Sequence, residues 1–179
     1  MTRVVALLRA INLGAKRRFP MAEVIRVVEG LGGTEVSTHL ATGNVCFTTD
    51  VDDPQGLATR LERAFEADRG FEVPVVVLRA DDLAQVAADA EEIGAGHVGQ
   101  HLVSFLRDPA PPDAQELLDA IEAPGERAVV RGQVVHLLLG ETVRESRLGN
   151  AAVEKHLGLA TARSAQVVET MAQKWASRS

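Results

Sequence analysis

Val4 to Pro20, VVALLRAINLGAKRRFP, decides how the chain is read. Val4 to Leu8 is short, rich in Val and Leu, and lacks helical spacing, which marks a buried strand running from Arg3 to Arg9. A polar and basic loop follows it directly. Pro20 suits a first helical turn, and Met21, Val24, Ile25, Val28 and Leu31 then recur at the spacing of one buried helix face. Gly30, Gly32 and Gly33 end that helix.

Working outward, Glu35 to Leu40 and Val45 to Thr49 read as a hairpin turning through Ala41-Thr42-Gly43-Asn44, where Gly and Asn tolerate positive φ. Asp52 or Asp53 can cap a helix with Pro54 in its first turn and Leu57, Leu61 and Phe65 on its buried face. Val73 to Leu78 is a further strand, so the first half reads βαββαβ.

Asp82 to Glu92 reads as an Ala-rich helix, and Ile93 to Gly99 as a Gly-rich joint. Leu102 to Leu106 is a strand, Pro111 or Pro112 opens a helix, and Arg127 to Arg131 with Val134 to Leu139 makes a second hairpin around Gly132-Gln133. Arg144 to Leu157 reads as one helix despite Gly149, and Ser164 caps a last helix with Val168, Met171 and Trp175 on one face. The expected architecture is α+β: two subdomains of ferredoxin-like type, βαββαβ and then βαββα plus a terminal helix, with helices packed on antiparallel sheets. The expected divisions are residues 1–80, a connecting helix and joint at 81–99, and residues 100–179.

The chain has 179 residues and is 46% hydrophobic, enough for a sizeable core and against disorder. No apolar run approaches the ~20 residues a membrane span needs. No signal-peptide pattern opens the chain, so the expected location is cytoplasmic and no membrane partner is expected. The single cysteine, Cys46, rules out an intramolecular disulfide and reads as a small buried strand residue. A net charge of −6 and few aromatics argue against nucleic-acid binding.

The charge is uneven, however. Arg3, Arg9, Lys16, Arg17 and Arg18 precede the first acid, Glu23. Arg9, Asn12, Gly14, Lys16, Arg17 and Arg18 lie between a strand and a helix start, where amides and guanidinium groups can converge on phosphate or carboxylate. The spacing matches neither a P-loop nor a dinucleotide fingerprint, and a solvated basic loop is the alternative. No cofactor is implied. Thr42 and Asn44 add a hydroxyl and an amide, although Gly43 and Asn44 also serve turn geometry alone. Ser146, Arg147 and Arg163 form a second cluster with Arg144 and Asn150, interspersed with acids that could simply pair with them. A helix from Arg144 would bring Arg147 onto a similar face. His97 and His101 have a metal-compatible spacing only on a helix, which Gly96 and Gly99 oppose, so no metal site is expected.

The segments VALLRAINLGAKRRFPMAEV and THLATGNVCF, followed by FEVPVVVLRADDL, RAVVRGQVVHL and ESRLGNAAVEKHLG, resemble the bacterial domain-of-unknown-function family 1697. The resemblance implies a two-subdomain α+β fold and no assigned activity. Its matching polar positions are Arg9, Asn12, Gly14, Thr42, Gly43, Asn44, Ser146, Arg147, Thr161 and Arg163. Where the family often continues Arg-Asn-Trp-Asn-Thr, this chain has Arg163-Ser164-Ala165-Gln166-Val167, removing an aromatic and several hydrogen-bonding groups. Three functional expectations follow. The first is binding of a small anionic ligand through Arg9 to Arg18, joined by Arg147 and Arg163. The second is a protein-interaction or homodimerisation module, and the third a phosphoryl- or acyl-group hydrolase.

Overall fold

In the computed structural model, which describes residues 1–176, the chain forms two compact units, Met1–Asp82 and Leu83–Ala176. Each holds a four-stranded antiparallel sheet with helices packed against it.

In the first unit, β1 (Thr2–Leu8) is a central strand, with β3 (Asn44–Thr49) on one edge and β4 (Val75–Arg79) on the other. Strand β2 (Thr34–His39) completes the order β2-β3-β1-β4. Alternation sorts the side chains of β1 between two faces. Val4, Ala6 and Leu8 join a cluster with Val24, Val27 and Val28 of α1 (Met21–Gly30) and Leu57, Leu61 and Phe65 of α2 (Pro54–Arg69). Val5 and Leu7, on the opposite face with Cys46, are equally buried. Burying each of the Val, Leu and Phe side chains among these contributes about 1.5–3 kcal/mol. Phe19 packs edge-on to Phe65, with ring centroids 5.1 Å apart.

The local signals act as the sequence implies. Asp53 accepts from the Gln55 amide at 3.1 Å, Pro54 occupies the first turn, and Gly70, at φ 76°, closes α2. Pro20 stands just before α1 rather than within it.

The second unit contains α3 (Asp82–Gly94), which from Leu83 onward belongs to it, then β5 (His101–Leu106) and α4 (Ala114–Asp119). Strands β6 (Arg127–Arg131) and β7 (Val134–Leu138), α5 (Asn150–Leu157), β8 (Ala160–Ser164) and α6 (Ala165–Trp175) follow. The sheet order is β6-β7-β5-β8, and Ser164 caps α6 by accepting from the Val167 amide.

Two expectations are corrected here. The second half does have a closing strand. Ala-Thr-Ala-Arg-Ser offers no apolar run, and the strand forms because its backbone completes the free edge of β5. Nor is Arg144 to Leu157 one helix. A single 3-10 turn at Val143–Glu145 is separated from α5 by Ser146 to Gly149. In that gap the Glu126 carboxylate accepts from the amides of Arg147 and Leu148, satisfying outside a helix what a continuous helix would satisfy within it.

Strands β1, β3 and β4 of the first sheet and β5, β7 and β8 of the second correspond residue by residue, whereas the β2–β3 ladder carries an irregularity that β6–β7 lacks. Leu8 pairs with Val75 where Leu106 pairs with Ala160. The Leu8 amide donates to Gly43 O and that of Leu106 to Gln133 O, both at 2.8 Å. Arg9 and Arg107 likewise donate their amides to Pro74 O and Leu159 O, both at 2.9 Å. Glu62 of α2 accepts from the Val75 amide at 2.9 Å, and Glu154 of α5 from the Ala160 amide at 3.1 Å. In this correspondence His101 and His136 stand where Arg3 and Cys46 stand, and both pairs touch: Arg3 Nε donates to Cys46 Sγ at 3.2 Å, and the two imidazoles meet at 3.3 Å.

Gly43 is required on two counts. Its φ is 92°, and a Cβ there would lie 2.7 Å from Leu8 Cβ and 2.9 Å from Ile11 Cδ1. Gly43→Ala is expected to destabilise the protein by about 3 kcal/mol, combining left-handed strain with overpacking, read as a lowered midpoint in urea.

Candidate functional site

The basic loop, the β2–β3 turn and the connection from α2 to β4 share one end of the first sheet, because β1 leaves the sheet where β3 and β4 enter it. The loop and the turn are therefore neighbours. Asn12 fastens them: its Nδ2 donates to Ala41 O at 2.7 Å and to Phe19 O at 3.0 Å, and its Oδ1 accepts from the Phe19 amide at 2.8 Å. Its own amide donates to Arg17 O at 2.7 Å. Ala10 and Asn12 both adopt positive φ, 57° and 55°, and Gly14, at 73°, precedes the single turn Ala15–Arg17. Asn12 thus folds the loop back on itself and has no amide hydrogen left for a ligand.

Arg17 is also spent on structure. Its Nε donates to Ala10 O, its Nη2 to Glu72 O at 2.6 Å, and its guanidinium lies 4.7 Å from the centre of the Phe71 ring. The loop is thereby tied to the α2–β4 connection as well. Arg9 is half-buried at the base of the loop. Lys16 and Arg18 are exposed, and neither side chain makes a hydrogen bond or ion pair with any described residue.

Asn44 opens β3 and is fully buried, its side chain donating to His39 O at 2.7 Å and to Thr42 Oγ1 at 3.3 Å, so that side chain braces the turn. Thr42 itself is exposed beside it. The rim of this sheet end therefore presents Lys16, Arg18 and Thr42, with the backbone of Gly14.

The second cluster takes a different form. Arg147 is exposed and donates Nη1 to Glu122 O at 3.1 Å, while Ser146 Oγ donates to Thr142 O at 3.4 Å. Asn150 is an anchor: it accepts from buried Ser104 Oγ at 2.6 Å and donates to Ala160 O at 3.1 Å. Arg163 is buried within β8, donating Nη1 to Thr161 Oγ1 at 2.9 Å and to Ala162 O at 2.8 Å. Burial brings its guanidinium down to about 10, still protonated at neutral pH. Arg163 holds its own strand, whereas Arg144 is exposed.

Burial raises the Cys46 thiol despite the adjacent Arg3, so the thiolate a nucleophile needs is disfavoured. Asp68 is held below the usual carboxylate range by its hydrogen bond from Arg26, at the surface. His97 lies in a loop and His101 opens β5. Among the described residues no group of three or more His, Cys, Asp or Glu side chains could hold a metal ion, and no helix is long and apolar enough to cross a membrane. Chemically, the rim offers cations and a hydroxyl, which suits holding an anion. The roles of Phe71 and Glu72 have no sequence signal, because nothing in their spacing ties them to Arg17.

The chain belongs to the family described as protein of unknown function DUF1697, whose model matches residues 1–136. The matched part ends within β7, so ESRLGNAAVEKHLG and Arg163 lie beyond it. A solved structure of a conserved bacterial protein from Streptococcus pneumoniae is similar over 98% of each chain, with a TM-score of 0.74 and 21% identity, which supports the fold. No curated protein matches the chain.

Asn12→Ala leaves the Phe19 and Ala41 backbone groups without their partner and is expected to cost about 2–4 kcal/mol, measurable as a lowered melting temperature. Lys16→Ala should leave the melting temperature unchanged.

Proposed function

We propose that the first unit binds a small anionic ligand, bearing phosphate or carboxylate, at the rim formed by Lys16, Arg18 and Thr42, with Arg9 at its base. One observation carries this reading: on a chain of net charge −6, Lys16 and Arg18 are held out on a loop pinned by Asn12 and Arg17, and no described carboxylate pairs with them. Pinning matters because a pre-ordered loop does not pay to be ordered again when the ligand arrives. Gly14 adds a backbone that an anion can approach closely, since nothing lies within 4 Å of where its Cβ would be.

A second reading, a protein-interaction surface, has its own observation. Leu13 and Leu40 are 66% and 50% exposed, and they flank the residues Asn12 and Ala41 that join loop to turn. Leu40 does so at φ 62°, a conformation that costs a Leu about 1–2 kcal/mol.

The experiment separating them is titration of the full chain with inorganic phosphate, pyrophosphate and a panel of phosphorylated and carboxylated metabolites, read by amide chemical shifts. Anion binding predicts shifts centred on Gly14 to Arg18 and Thr42. The Lys16→Ala, Arg18→Ala pair should weaken affinity at least tenfold without changing the melting temperature. Absence of shifts with every anion would sink the first reading. Self-association that Leu13→Ser with Leu40→Ser abolishes would favour the second.

A further inference from the structure

In the second unit, His101 of β5 and His136 of β7 lie on the sheet face that also carries Val103 and Arg163. Nε2 of His101 is 3.3 Å from Nδ1 of His136, and the ring centroids are 5.5 Å apart at an interplanar angle of 59°. His136 is fully buried, and its remaining nitrogen, Nε2, has no hydrogen-bond partner. His101 is half-buried, its Nδ1 lying so near Gly94, the last residue of α3, that a Cβ there would come within 2.7 Å.

Hydrogen counting defines what this contact tolerates. With both rings neutral, one of the two facing nitrogens carries a hydrogen and the other a lone pair, so the contact is a hydrogen bond. One added proton can sit on an outer nitrogen and leave that bond intact. A second places hydrogens on both facing nitrogens, turning attraction into repulsion between two cations.

The surroundings oppose that second charge on balance. Asp89 of α3 favours a charged His136, but Arg131 at the end of β6 and His101 itself disfavour it, and burial weighs most of all. His97, whose Nε2 lies 2.9 Å from Leu139 O, acts against charge on His101, and Arg163 flanks Val103 on the same face. The apolar side chains that α6 buries are Val168, Met171 and Trp175.

We propose that the His101–His136 contact is a proton-sensitive latch in the second unit, closed while the pair holds at most one added proton and opened by the next. The direction of the pH effect is fixed by linkage. Burial brings His136 down to about 4 from an ordinary 6.5, so the unfolded state takes up its proton first as pH falls. The stability that this contact contributes to the unit is therefore whole above about pH 6.5 and is lost on the way down to about 4.

The test is hydrogen exchange on the full chain at pH 7 and pH 4.5, expressed as protection factors. Protection of β5 and β7 is expected to fall at least tenfold more than that of β1 and β3. The variant combining His101→Gln with His136→Gln, which keeps a hydrogen-bonding pair that cannot charge, should hold the excess loss below threefold. Equal losses in both sheets, or an undiminished excess in the double variant, would overturn the latch. If the double variant does not fold, imidazole titration of the wild type decides: His136 should stay neutral to near pH 4, and ordinary titration near 6.5 with the sheet intact refutes the proposal.

Discussion

A strand hydrogen-bonded along both edges and buried on both faces leaves its chain only one freedom, the direction in which it exits. Strand β1 is in that position, and the loop after Leu8 must emerge beside the start of β3 and the start of β4. The proximity of the basic loop, the Thr42 turn and Glu72 follows from this pairing constraint. Loop chemistry then only has to fasten segments that the sheet has already brought together, as Asn12 and Arg17 do.

The elements were legible in the sequence where an apolar pattern met local punctuation. Val4 to Leu8, the α1 face from Met21 to Leu31, Asp53-Pro54 and Ser164 all specify their local structure within a few residues. What escaped was decided at a distance. Strand β8 contains two alanines, a threonine, an arginine and a serine, and owes its extended form to β5. The break before α5 depends on Glu126, a residue in another loop. The internal repeat was legible only as a repeated order of elements, and strand register is what shows that Leu8-Arg9 and Leu106-Arg107 correspond.

The candidate site was legible in outline rather than in its division of labour. A run of cations between strand and helix gives no indication which of them turn inward. Arg17 is held by the carbonyls of Ala10 and Glu72, and Asn12 by those of Phe19 and Ala41. These partners are backbone atoms, which every residue possesses, so no side-chain motif announces them. Arg163 is the same kind of case: a cation read as surface chemistry becomes a buried brace because Thr161 Oγ1 and Ala162 O lie beside it on its own strand.

The carboxylates of Glu62 and Glu154 bear on the last strand of each sheet in another way. Strands β4 and β8 are edges, paired on one side only, and an edge is where a sheet slips register or recruits a foreign strand. Each begins with an amide held by a carboxylate from the preceding helix. A slip of one residue would pull that amide off its acceptor while turning the strand's apolar side chains over. Each helix therefore serves as a stop against which its edge strand is seated, and alignment is checked at the end that enters the sheet first.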